Sequence, residues 1–231
     1  MSNLPATIDL NPAGDHPEYS IIWLHGLGAD ANDFVPIAEQ FNLLDKYKVR
    51  FVFPYAPIRS ITVNNGMRMR AWYDIAELDL SCEEDAVGIR DSARLLGLLI
   101  EREIELGIPS NRIVLAGFSQ GGAMSLYTGL RYPTPLGGII ALSSYLPLAR
   151  HFALERNLEN QSIPIFMAHG IFDPVVPLML GQMSREQLEG LGYSVEWHSY
   201  SMPHTVMPKE IDDIGHFLQK IISRTFDLSM K

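Results

Sequence analysis

Apolar residues in this chain gather in short unbroken runs, separated by stretches in which they recur every three or four positions. Ser20–Leu24, Val49–Phe53, Ile113–Ala116, Leu136–Leu142 and Ile163–Ala168 are runs of this kind, rich in Ile, Leu, Val and Phe. Such runs predict strands buried on both faces. Ser194–Tyr200 adds a last strand and Thr7–Leu10 a weak first one. Helical spacing occupies Phe34–Phe41, with Asn32 or Asp33 as cap, then Gly122–Leu130, Leu178–Leu191 and Pro208–Ser223. A longer helix starts from a Ser81/Glu84 capping box and runs to Leu106, where Gly107 and Pro109 stop it. Ile61–Met69 reads as a hairpin, because Asn64-Asn65-Gly66 tolerates positive φ. Strands alternating with helices, without repeat or linker, predict one α/β domain over 1–231. Its sheet is mainly parallel with helices on both faces, and 1–17 and 225–231 are peripheral or frayed.

Composition narrows the function classes. A net charge of −9, with no basic stripe, argues against nucleic acid and against electrostatic capture by an anionic bilayer. Any lipid contact would have to be hydrophobic. No apolar run approaches the ~18 residues of a membrane span. The first residues lack a signal peptide's basic and apolar regions, and Ser2 excludes N-myristoylation. One cysteine, Cys82, fits a reducing compartment, so the expected location is cytoplasmic.

The chemistry centres on Ile113–Gly122. A buried strand turns at Gly117-Phe-Ser119-Gln-Gly121 into a helix, which is the form of a nucleophile elbow. Glycines flank Ser119 because the turn is strained and strand and helix approach closely. The alternative, an ordinary tight turn with an exposed serine, does not account for the strand–turn–helix context. A serine hydroxyl needs a general base, and the base needs an orienting acid. Chain order then requires acid and histidine to follow. His198 lies inside a strand and His216 in mid-helix, which leaves His204, in the loop after the last strand, as the base. Asp173 stands just past a buried strand, whereas Asp212 and Asp213 suit the first turn of the closing helix. Two donors must meet the oxyanion: the Gln120 N–H and, from the glycine-rich loop His25-Gly26-Leu27-Gly28, the Leu27 N–H. His25 is expected to brace that loop, since no spaced carboxylate or second histidine completes a metal site.

With these residues in place, the sequence resembles the acyl-protein thioesterase / carboxylesterase family, small α/β hydrolases that include lysophospholipase-like members. The resemblance runs from Ser20 to Leu218. It rests on Trp23–Asp30, Asn65–Asp74, Gly117–Gly122, Leu142–Pro147, His169–Pro177 and Met202–His204. It implies the α/β-hydrolase fold and hydrolysis of acyl esters or thioesters through an acyl-enzyme, with no cofactor and no metal. The implied roles are Ser119 nucleophile, Asp173 acid, His204 base, and Leu27 and Gln120 oxyanion hole. It further implies that Trp72, Ile75, Leu78, Tyr145 and Leu146 flank an acyl channel. Acylated proteins or lysolipids are the implied substrates, and a homodimer is allowed. The apolar loop Ile75–Leu80 would be the point of any transient membrane contact, as in a lipase or lysophospholipase. A non-catalytic hydrolase-fold binding protein would lack a triad member, and none is missing. One position departs from the pattern: Pro203 stands where the family has glycine or alanine, and it pushes Met202 toward an extended backbone.

Overall fold

A computed structural model describes residues 4–11, 16–41, 43–76 and 84–229. Seven strands form one sheet: β1 (Thr7–Leu10), β2 (Tyr19–Leu24), β3 (Val49–Pro54), β6 (Ile113–Phe118), β7 (Gly138–Leu142), β8 (Ile165–Gly170) and β9 (Val195–Tyr200). Their spatial order is β1-β3-β2-β6-β7-β8-β9. Only β1 runs antiparallel, pairing Thr7 with Pro54. A separate hairpin joins β4 (Ile58–Ile61) to β5 (Met67–Arg70), turning through Asn65 and Gly66 at φ 53° and 75°. The helices are α1 (Val35–Gln40), α2 (Leu44–Tyr47), α3 (Ala86–Glu105), α4 (Gln120–Gly129), α5 (Ala149–Glu155), α6 (Leu178–Gly190) and α7 (Pro208–Ser229).

The continuous apolar runs hold an alternation that divides two cores. Ile22, Leu24, Leu115, Ile139 and Met167 face α3, α4, α5 and α6, while Ile21, Trp23, Val114, Ile140 and Phe166 face α1 and α7. Successive side chains point to opposite faces, so each run supplies both cores. The strands thereby end, on one edge of the sheet, in the loops that hold His25, Ser119, Ser143, Asp173 and His204.

Several boundaries differ from the pattern reading. α3 begins at Ala86 and its cap is Asp85, whose carboxylate accepts the Gly88 N–H at 2.8 Å. Glu84 instead reaches across to accept the Leu148 N–H at 2.8 Å; Ser81 and Cys82 lie outside the described residues. α1 has no side-chain cap at Phe34, because Asp30 rather than Asn32 or Asp33 organises that turn, accepting the Asn32 N–H. The short α2 and α5 carry too few turns for a periodic signal. α7 continues past Thr225 to Ser229.

Glu210, in the first turn of α7, is fully buried, and burial pushes its carboxyl up to about 8 against the pull of the Met207 amide. The folded chain therefore holds a proton there that the unfolded chain, at an ordinary value near 4.5, gives up. The stability this contributes is complete below about pH 4.5 and is lost as pH rises through about 8. The urea midpoint of wild type should fall between pH 5 and pH 9 by more than that of Glu210→Gln. The difference should be on the order of a few kcal/mol, and equal slopes would place the titration elsewhere.

Candidate active site

The elbow is shaped by backbone meeting backbone. A β-carbon on Gly121 would lie 2.7 Å from His25 O and closer still to Leu24 O. One on Gly122 would lie 2.9 Å from Gly117 O, and one on Gly117 would overlap the Gly121 carbonyl. The three glycines let α4 start directly against the ends of β6 and β2, and the turn forces Ser119 to φ 55°, ψ −122°. That region is costly for a residue with a side chain, and such strain concentrates at functional positions.

Asp173 and His204 meet across the ends of the two neighbouring strands β8 and β9. His204 Nδ1 donates to Asp173 Oδ2 at 2.6 Å, while Asp173 Oδ1 accepts the N–H groups of Val175 and Val176 at 2.8 and 2.9 Å. The hydrogen bond fixes the proton on Nδ1 and leaves Nε2 as an acceptor. The His204 ring lies against Phe118, 4.7 Å between centroids. Pro203 does not prevent this: Ile171 N–H donates to Tyr200 O and Phe172 N–H to Met202 O, carrying the β8–β9 pairing onward. Gly170 makes room, since a β-carbon there would stand 2.5 Å from both the Met202 and the Pro203 carbonyl.

Ser119, His204, Leu27 and Gln120 line a single cavity of about 410 Å³. Among the described residues, no hydrogen bond joins Ser119 Oγ to His204, and neither the Leu27 nor the Gln120 N–H donates one. The remaining wall is largely apolar, with Phe34, Ile37, Ile75, Val176, Leu180 and Val206. Among the described residues, Asp33 is the one carboxylate on it, and there is no lysine or arginine.

Of the residues expected along an acyl channel, Ile75 and Tyr145 are on the wall. Trp72 and Leu146 are not: both are buried behind it. Leu78 lies outside the described residues, as do the other positions of the Ile75–Leu80 loop beyond Ala76. Trp72 is a fastener, its indole N–H donating to His25 O at 2.9 Å and its amide to Gln120 Oε1 at 2.8 Å. Gln120 completes the clamp by donating from Nε2 to Tyr73 O at 2.8 Å. The Gln120 side chain thus holds the 71–73 segment over the elbow, a role the motif does not announce.

His25 is buried, and burial lowers its pKa. Its Nε2 accepts the Ala56 N–H at 3.0 Å, so the ring proton sits on Nδ1 and goes to Gly26 O at 2.8 Å. It ties the glycine-rich loop to the segment after β3. His169 was not singled out by pattern; it is buried, lowered chiefly by desolvation, and donates from Nε2 to Val176 O at 2.8 Å. It supports the turn that supplies Asp173 with its two amides. His198 stacks on Phe166 at 4.9 Å and His216 is exposed on α7. Among the described residues, no three His, Cys, Asp or Glu side chains are placed to share a metal ion.

A methyl at residue 170 would press on the two carbonyls that carry His204. Gly170→Ala should therefore cost about 1–3 kcal/mol in the urea midpoint. It should also lower kcat on an acyl ester by about 10²-fold through displacement of His204. Loss of stability with unchanged kcat would show that the loop absorbs the methyl.

Known proteins resemble this chain over nearly its whole length. Residues 9–222 match the family model described as Phospholipase/Carboxylesterase. The chain is 42% identical to acyl-protein thioesterase 1 of Gibberella zeae over 90% of its length and 93% of the relative's. It is also 42% identical to acyl-protein thioesterase 1 of Neurospora crassa over 95% and 94%. Among solved structures, maize acyl-protein thioesterase 2 superposes with a TM-score of 0.83 at 29% identity, covering 94% of this chain and 99% of that one. SOBER1 of Arabidopsis thaliana gives 0.83 at 30% identity, covering 88% and 99%. An elbow serine, an Asp–His pair on adjacent strand ends and a match over nearly the whole length together place this chain in the phospholipase/carboxylesterase family of α/β hydrolases.

Proposed function

We propose that Ser119 is the nucleophile of this serine hydrolase, His204 its general base and Asp173 the acid that orients the base. The protein hydrolyses carboxylic esters or thioesters. The observation that carries the residue assignment is the 2.6 Å His204–Asp173 bond opening onto the same cavity as a serine at φ 55°. Ser119 Oγ attacks the acyl carbonyl carbon and its proton passes to His204 Nε2. The carbonyl oxygen becomes an oxyanion and accepts the uncommitted N–H groups of Leu27 and Gln120, at the positive end of α4. Collapse breaks the C–O or C–S bond, and His204 returns its proton to the departing alkoxide or thiolate. Water, deprotonated by His204, then attacks the acyl-enzyme, releases the acid and restores Ser119.

The substrate we infer is an acyl chain on a protein thiol or hydroxyl. The relatives named acyl-protein thioesterase support it, and so does the wall. It offers an apolar surface for the chain but, among the described residues, no lysine or arginine to receive the phosphate of a lysolipid, and Asp33 repels one. The cytoplasm remains the inferred location, on the lone cysteine and the absence, among the described helices, of one long and apolar enough to cross a membrane.

Ser119→Ala should lower kcat/KM by at least about 10³-fold with its melting behaviour unchanged. Retained turnover would remove Ser119 from the mechanism. p-Nitrophenyl esters and acyl thioesters from acetyl to palmitoyl, assayed in parallel, should show rising kcat/KM with chain length. The rate on lysophospholipids should be lower than on a neutral thioester of equal length, and Asp33→Asn should narrow the gap; a lysophospholipid preference in wild type would overturn the protein-substrate reading.

A further inference from the structure

Two tyrosines interrupt the apolar wall. Tyr73 and Tyr145 both line the cavity, and their hydroxyls lie 3.0 Å apart. Each phenol carries one proton and can also accept. One hydrogen bond between them consumes one proton, and the second has no acceptor among the described residues. Burial raises both phenols, Tyr145 to about 12, and the Glu84 carboxylate adds to this, so the pair stays neutral and able to donate. For packing alone, phenylalanine would give the same ring without placing a polar group beside a hydrocarbon chain.

Both rings are held at fixed places relative to the nucleophile. The Tyr73 carbonyl accepts Gln120 Nε2, from the residue next to Ser119. Tyr145 is anchored through its neighbour, as the Leu146 N–H donates to Ser184 Oγ at 2.8 Å. A donor at a fixed distance from Ser119 meets a fixed position along any acyl chain that Ser119 attacks.

We propose that the Tyr73–Tyr145 hydroxyl pair is a polar subsite within the acyl cavity that recognises an oxygen substituent, hydroxy or oxo, at a defined position of the acyl chain. The inference rests on the acyl-transfer reading above. An oxygen placed there accepts the spare proton; a saturated chain leaves that donor facing methylene groups, which disfavours it.

The test uses the purified full chain and p-nitrophenyl octanoates, unsubstituted or bearing one hydroxyl at successive carbons. Wild type should prefer one or two positional isomers over the unsubstituted ester by roughly three- to tenfold in kcat/KM. In Tyr73→Phe, Tyr145→Phe and the double variant the ratio should fall toward one, whatever happens to the absolute rate. Labelling of Ser119 by a fluorophosphonate and the melting temperature show that each variant is folded with an intact nucleophile. Hydrolysis of all esters with no preferred isomer in wild type overturns the subsite. So does a ratio that survives in the double variant, because the pair then only fastens the 71–74 segment to the segment after β7. If no ester is hydrolysed and Ser119 is not labelled, the acyl-transfer reading itself fails and the subsite falls with it.

Discussion

Contact between peptide planes at the end of β6 sets the rest of the site. Gly117, Gly121 and Gly122 leave no space for a side chain between β6, α4 and the end of β2, so helix and strands meet backbone to backbone. That closeness has two effects at once. It forces Ser119 into a conformation that holds its side chain clear of the sheet, and it brings the first turn of α4 beside the loop after β2. Leu27 and Gln120 then come to one cavity although 93 positions separate them in the chain. A single added methyl would separate all of these parts, which is why small residues carry so much of the motif.

Around that contact, fixed tautomers and clamps do the positioning. His25 and His169 each give a ring proton to a backbone carbonyl, and burial is the largest cause of the lowered pKa of each. Gln120 lines the cavity and uses its side chain to hold residues 72 and 73. One residue thereby couples the elbow to the segment that carries Tyr73. Trp72, buried behind the cavity wall, stabilises it from outside.

Legibility in the sequence followed the range of the interaction. The strands were readable because each buried run is local, and the triad candidates because each sits where a strand stops. The elbow was readable because its glycines are a local steric necessity. What escaped depends on contacts that only folding makes: Tyr73 with Tyr145 and Gln120 with residue 73, far apart in the chain, and His169 with the turn at Val176, seven residues on. Trp72 and Leu146 were expected on the channel because the family resemblance implied it, yet both side chains are buried in the core. Asp85 caps α3 because the polar residues before a helix compete, and spacing alone favoured Ser81. Pro203 costs little because the proton-bearing geometry of His204 depends on Gly170 and the β8–β9 pairing rather than on the residue beside it.

The arrangement of strands divides the proposed triad unequally. Ser119 follows β6, in the middle of the sheet, whereas Asp173 and His204 follow β8 and the edge strand β9, whose side chains are only partly buried. Edge strands open at lower free energy than central ones. Detachment of β9 and its loop would displace His204, while Ser119 stays anchored on the central strand β6. In the proposed mechanism, catalytic competence therefore depends on the sheet's margin as well as on its centre.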